Sequence, residues 1–219
     1  MKVKMKMLVT SIIIISALTV SSFAAVSPFI DLEGVSAKTK ILDLQEAGII
    51  KGVGNTRFSP KANITAAQGI QLIVNALKLN IDNIRFIKAP LATDYFTKAN
   101  NEAWYATALI IASVKGMPLA NDLDPNQAWT KEEFTYQLIQ AVDTYANLPM
   151  IKLVPIKLAD QAELTVSYDG AIQRALAYGV IKLDSAGKFQ PKAKITRAAA
   201  AEQIYNALEY IKAHPAPLA

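Results

Sequence analysis

The stretch GKFQPKAKITRAAAAEQI, residues Gly187–Ile204, holds a phrase that this chain writes three times. Phe189–Thr196 reads FQPKAKIT, Phe58–Thr65 reads FSPKANIT and Leu123–Thr130 reads LDPNQAWT. The shared pattern is an aromatic residue or Leu, any residue, Pro, three further residues, an apolar residue and Thr. Pro60, Pro125 and Pro191 lie 65 and 66 positions apart, and Thr65, Thr130 and Thr196 keep the same spacing. Such a period marks internal repeats, each a small unit that needs its neighbours to bury its apolar face.

Working downstream, each Thr opens a helix. Gln68 follows Thr65 by three positions and Glu133 follows Thr130 by three, the capping-box arrangement in which both side chains satisfy free N–H groups. Thr196 keeps the cap, but Ala199 stands where its reciprocal partner would be. Ile204, Ala207, Leu208 and Ile211 form an i, i+3, i+4, i+7 stripe. Leu138, Ala141, Val142 and Tyr145 match it in the second copy, and Ile73, Ala76, Leu77 and Asn80 in the first.

Upstream, a first helix is predicted near Ala37–Ala47, Trp104–Lys115 and Tyr168–Tyr178, with Ser36 and Ser167 placed to cap the first and third. Gly48, Gly116 and Gly179 then end these helices in the left-handed conformation that glycine adopts without steric cost. AGIIKG at Ala47–Gly52 falls on YGVIKL at Tyr178–Leu183, and each copy begins with an apolar-Asp cluster: FIDL, ATDY or LADQ. The copies span 28–80, 91–146 and 156–213, with a short tail at 214–219. Asn80–Pro90 and Asn147–Leu158 contain Pro and no Gly, so they read as extended connections that add apolar residues to the core. Three helix pairs packed around a shared axis make a single all-α fold.

The remaining composition narrows the function. The 219 residues are 52% hydrophobic and include no Cys, which excludes disulfides and thiolate metal sites. The lone His214 lies in the tail, away from any catalytic or metal-binding arrangement. Residues 1–24 read as a secretory signal peptide: three Lys, an apolar run and a small-x-small ending at Ser22–Ala24. The apolar run is shorter than the ~20 residues that span a bilayer, so no transmembrane span is expected after cleavage. Removal of Lys2, Lys4 and Lys6 lowers the net charge from +5 to +2, and no basic block is left for nucleic acid. Asp43, Glu46, Glu132, Glu133, Asp143 and Glu202 fall at helix starts or outward positions, no nucleotide or metal signature is present, and neither an enzyme nor a cofactor is expected.

F-x-D, a helix ending in A-G-I-I-x-G, and F-x-P-x-x-x-I-T-R-A together resemble the S-layer homology (SLH) domain family, in three tandem repeats. The first and third copies carry the motifs well and the second diverges. The resemblance implies a pseudo-threefold, three-pronged unit with a central helical bundle. It also implies non-enzymatic anchoring at the cell wall, with grooves between repeats that hold an anionic secondary cell-wall polysaccharide linked to peptidoglycan, in some cases pyruvylated. Surface-layer proteins are the further partners it suggests.

Carried over by position, the glycan-binding cation is Arg197; Lys131 keeps the charge without the fork, and Ala66 keeps neither. Asp31, Asp94 and Asp160 hold the acidic position. The chemistry is sound, because a residue beside the free N–H groups of a helix start sits where an anion is favoured, and an Arg fork grips a carboxylate with two bonds. Lys51, Arg57 and Lys61 are the candidate substitutes for the cation missing at Ala66. Trp104 either stacks on a sugar in a groove or packs in the core, whereas Trp129 reads as a core residue stapled to Phe134. The alternative to anchoring is a secreted helical scaffold whose glycan binding has decayed, and whose role is protein contact.

Overall fold

The computed structural model describes residues 28–215. The expected signal peptide, 1–24, and the last residues of the tail lie outside that range. Six α-helices follow in order: α1 Lys38–Glu46, α2 Ala66–Ala76, α3 Ala106–Val114, α4 Lys131–Tyr145, α5 Asp169–Ala177 and α6 Arg197–Ala213. Short 3-10 turns occupy Ala92–Asp94, Gln161–Glu163 and Val166–Tyr168. Among the described residues no strand longer than an isolated bridge occurs, so the expected all-α class holds.

The helix boundaries follow the local chemistry. Thr65, Thr130 and Thr196 accept the N–H of Gln68, Glu133 and Ala199, and the reciprocal half of the box is made by Gln68 and Glu133 alone. Gly48, Gly116 and Gly179 have φ of +70°, +75° and +69°. The residue after each donates its N–H back to a carbonyl in the last turn: Ile49 to Leu44, Met117 to Ala112 and Val180 to Ala175. One helix-ending motif is thus used three times. The predicted serine caps are a correction. The residue before α1 is Ala37 and that before α5 is Tyr168, neither makes a side-chain cap, and Ser167 lies inside a 3-10 turn.

The repeated phrase does more than start a helix, since its loop serves the helix of another copy. Ile64 donates to the carbonyl of Ile195 (3.1 Å), Ile195 to Trp129 (3.0 Å) and Trp129 to Ile64 (3.1 Å), which closes a ring. The first two N–H groups of each inner helix run the opposite way around. Ala66 and Ala67 donate to Gln127 and Pro125, Lys131 and Glu132 to Ala193 and Pro191, and Arg197 and Ala198 to Ala62 and Pro60, all at 2.8–3.1 Å. A helix start leaves four N–H groups without intrahelical partners. In α2 and α4 the capping box and the neighbouring loop satisfy all four.

Helix pairing runs between copies rather than within them. α2, α4 and α6 pack on one another at the centre, while α3 packs on α2, α5 on α4 and α1 on α6. Each outer helix therefore covers the inner helix of the copy before it, and α1 closes the circle on the last. Ile70, Ile73, Leu138, Ile139 and Ile204 on the inner helices are fully buried, at relative exposures of 0–1%. Within the two connections Leu158 is buried in the core and Leu148 and Ile151 pack against it, as expected, whereas Ile84, Phe86, Ile87, Met150, Val154 and Ile156 face solvent. On that outer path the backbone is bonded locally, as where Gln173 pairs with both the N–H and the carbonyl of Ile156, or by water.

Candidate functional site

A cleft of about 650 Å³ opens where α2, the start of α3, the loop between α1 and α2, and the start of α6 meet. Its lining includes Lys51, Gln71, Asn75, Trp104 and Arg197, over an apolar floor containing Phe58. Arg197 is the first residue of α6, so the ring of loops fixes its backbone before its side chain is placed. Its Nε donates to the carbonyl of Phe58 (2.7 Å) and one terminal nitrogen to the carbonyl of Lys51 (3.0 Å). The guanidinium carbon lies 4.7 Å from the centre of the Phe58 ring. Burial disfavours the charge and moves this group below its ordinary value, with Asp31 acting in the opposite sense. The remaining nitrogen of a desolvated cation is what an incoming anion would meet.

Asp31 and Asp160 hold the loops that receive the cations. Asp31 accepts the N–H groups of Phe58 and Ser59, both at 2.8 Å, and Asp160 those of Phe189 and Gln190, at 3.0 and 2.6 Å. Ser59 and Gln190 immediately precede Pro and sit at φ +59°, a region that costs a non-glycine residue energy. Two charge-assisted bonds to each carboxylate stabilise that conformation. Asp160 is 5% exposed and Asp31 more open. Asp94 differs, because it accepts the N–H of Leu91 and closes its own turn. Asn121 ties down that copy by donating to Tyr95 and accepting from Thr97.

The equivalent positions in the other copies are distinct. Lys131, first in α4, donates to the carbonyl of Phe189 (2.8 Å) with its ammonium 5.5 Å from that ring. Burial lowers its tendency to hold the proton, while Asp184 and Asp160 oppose the shift. Ala66 is fully buried. Lys51, Arg57 and Lys61 belong to the loop that receives Arg197, so they do not stand in at Ala66. Trp104, 62% exposed, lines the Arg197 cleft and is not a core residue. Trp129, 4% exposed, meets Phe134 edge to face at 6.5 Å, as the staple predicts.

Several residues of consequence carried no signal in the sequence. Glu132 reads there as an outward acid, yet it is buried; it accepts from the N–H and hydroxyl of Thr165 and pairs with Lys192. Its carboxylate joins α4 to two segments of the third copy. Gln71 and Asn75 of α2, which no motif singles out, line the cleft. Among the described residues, no group of three or more His, Asp or Glu is placed to hold a metal, and no helix is long and apolar enough to cross a membrane.

Comparison with known proteins places these features in context. The S-layer homology domain model matches residues 28–68 and 165–201, the segments that carry Asp31, Phe58, Thr65, Phe189 and Arg197. The chain is 27% identical over 216 residues to a surface-layer 125 kDa protein of Lysinibacillus sphaericus, covering 94% of this chain and 17% of that one. It is 26% identical to the exoglucanase XynX of Acetivibrio thermocellus, over 83% of this chain and 16% of the relative. It is 25% identical to an amylopullulanase of Thermoanaerobacterium thermosulfurigenes, over 83% and 9% respectively. The chain thus spans less than a fifth of the length of each of these relatives.

Proposed function

We propose that this chain is a non-enzymatic module that anchors at the bacterial cell surface by binding an anionic secondary cell-wall polysaccharide. The observation that carries this reading is the cleft lined by both the Arg197 guanidinium, seated on Phe58, and the exposed Trp104. A half-desolvated guanidinium suits a carboxylate or ketal acid, and an exposed indole suits a sugar face. The relatives support the same view. By their names, an exoglucanase, an amylopullulanase and a surface-layer protein share this stretch and no single chemistry. A common location explains that distribution better than a common reaction. The middle copy, outside the segments the family model matches, is on this reading a diverged third repeat of a three-pronged unit.

The second reading, a helical scaffold with decayed glycan binding, draws on the buried Ala66 and on Lys131, whose ammonium is already committed to Phe189. One experiment separates the two. The protein is mixed with purified wall sacculi, before and after chemical release of their attached polysaccharide, and pelleting is compared for wild type and Arg197→Ala. Anchoring requires both polymer and Arg197; equal pelleting under all conditions, or none in any, supports the scaffold.

A further inference from the structure

Three outer-on-inner helix junctions surround the central bundle, and superposing their sequence positions shows that two of them are latched. The sixth residue after the cap Thr is Gln71 in α2, Tyr136 in α4 and Glu202 in α6. At the second junction Tyr136 stacks on Tyr168, 4.3 Å between ring centres and 24° between planes. At the third, Glu202 pairs with Lys40 of α1 at 2.6 Å. The tenth residue repeats the contrast. Gln140 accepts from Arg174 of α5, and Asn206 accepts from Lys40 and donates to the carbonyl of Val180. At the first junction Gln71 and Asn75 bond only to each other (2.8 Å), and the ring of Trp104 stands off as a wall of the cleft.

Building on the anchoring reading, we infer that the molecule is monovalent, and that Gln71 and Asn75 are its specificity-determining contacts. The cations show the same asymmetry: the open junction is the one that receives Arg197, whereas at the junction beside Ala66 the cation present, Arg174, is already paired with Asp143 and Gln140. A glycan entering the first cleft meets a guanidinium at one end, an indole face on one side and two carboxamides on the other. Carboxamides both donate and accept, so they suit sugar hydroxyls or an N-acyl group and hold no charge against the anion. At the other two junctions the same positions are already committed within the protein, and a ligand would have to break those contacts to enter.

The test counts ligands and closes the cleft. Size-fractionated oligosaccharides released from the walls of the producing bacterium are titrated against the chain, and occupancy is read by native mass spectrometry. One oligosaccharide per chain is expected. Gln71→Tyr, which copies the residue of the second junction, should weaken binding by at least tenfold with an unchanged circular dichroism spectrum, and Gln71→Ala by less. Trp104, the exposed indole, should shift in fluorescence on binding while the buried Trp129 does not, so the signal disappears in Trp104→Phe. Two or three oligosaccharides per chain, or full binding by Gln71→Tyr, would overturn monovalence and leave anchoring intact. Absence of wild-type binding to both oligosaccharides and sacculi would overturn both.

Discussion

Arg197 reaches across 139 positions of sequence to donate to the carbonyl of Phe58, with its guanidinium over the Phe58 ring at 4.7 Å. One side chain thereby joins the start of the last helix to the loop of the first copy, and the same atoms face the cleft. On the anchoring reading, structure and binding are therefore coupled at this residue. Arg197→Ala is expected to destabilise the fold by about 1–3 kcal/mol, the range for losing hydrogen bonds from a charged donor, and to abolish wall binding. Arg197→Lys should recover part of the stability, as Lys131 does for the carbonyl of Phe189, but little of the binding, because an ammonium has no planar fork. Thermal denaturation and sacculus pelleting, measured on both variants, check the two effects separately.

Acid should loosen the molecule through two carboxylates. Burial works against the charged form of Glu132, but Lys192 and the two donors of Thr165 outweigh it, so its pKa lies below the ordinary value. Asp31 is likewise opposed by desolvation and more than compensated by the N–H groups of Phe58 and Ser59. A carboxylate with a depressed folded-state pKa contributes stability that is fully present above its unfolded value, about 4. That stability is lost as pH falls through the folded value. Melting temperature should therefore hold between pH 7 and 5 and drop below about 4. Glu132→Gln should lower it at pH 7, by about 1–3 kcal/mol in stability, and flatten the acid limb. An unchanged acid limb in that variant would remove Glu132 from the account.

The circular closure of the fold yields a third prediction. Lys40 in α1 meets Glu202 and Asn206 in α6, and this contact spans 162 and 166 positions. Both partners of the ion pair are partly exposed, at 30% and 40%, so their coupling is small. A double-mutant cycle on Lys40→Met and Glu202→Gln should return about 0.5–1 kcal/mol in denaturant titrations. A coupling near zero would mean that the Lys40–Glu202 pair does not help to hold α1 on α6.

What could be read from the sequence was what is local. The cap Thr and its partner are three residues apart, and the terminating Gly is adjacent to the helix that it ends, so Thr65–Gln68 and Gly48 were legible from spacing. Arg197 was legible as the matching cation through the family resemblance. The ring of loops was not, because Pro60, Pro125 and Pro191 give their carbonyls to helices of other copies, and no periodicity says which copy supplies the partner. For the same reason the pairing of outer with inner helices could not be read. The serine caps failed because α1 begins after Ala37 and α5 grows out of a 3-10 turn, so neither leaves an extended residue to act as cap. Gln71 was missed because a polar residue on an amphipathic helix looks the same whether it faces solvent or a cleft.

The fourth residue after the cap Thr tests the packing of the central bundle. It is Gly69, Phe134 or Ala200 in the three copies, three sizes at one position of a pseudo-symmetric core. A Cβ added at Gly69 would lie 2.6 and 2.7 Å from two atoms of the Trp129 ring and 3.2 Å from Phe134. Two effects compete in Gly69→Ala. Helix propensity favours Ala by up to about 1 kcal/mol, whereas overpacking a close-packed core costs about 1–3 kcal/mol. Trp129 is pinned on its far side, since its N–H and carbonyl both belong to the ring that joins Ile64 and Ile195. It cannot retreat without breaking that ring, so the clash should win. Gly69→Ala is expected to lower stability by about 1–2 kcal/mol and to shift the emission of the buried Trp129, with Trp104→Phe as the background that isolates its signal. A stabilised variant with unchanged emission would mean that the indole has room to move, and that the ring of loops is looser than its hydrogen bonds imply.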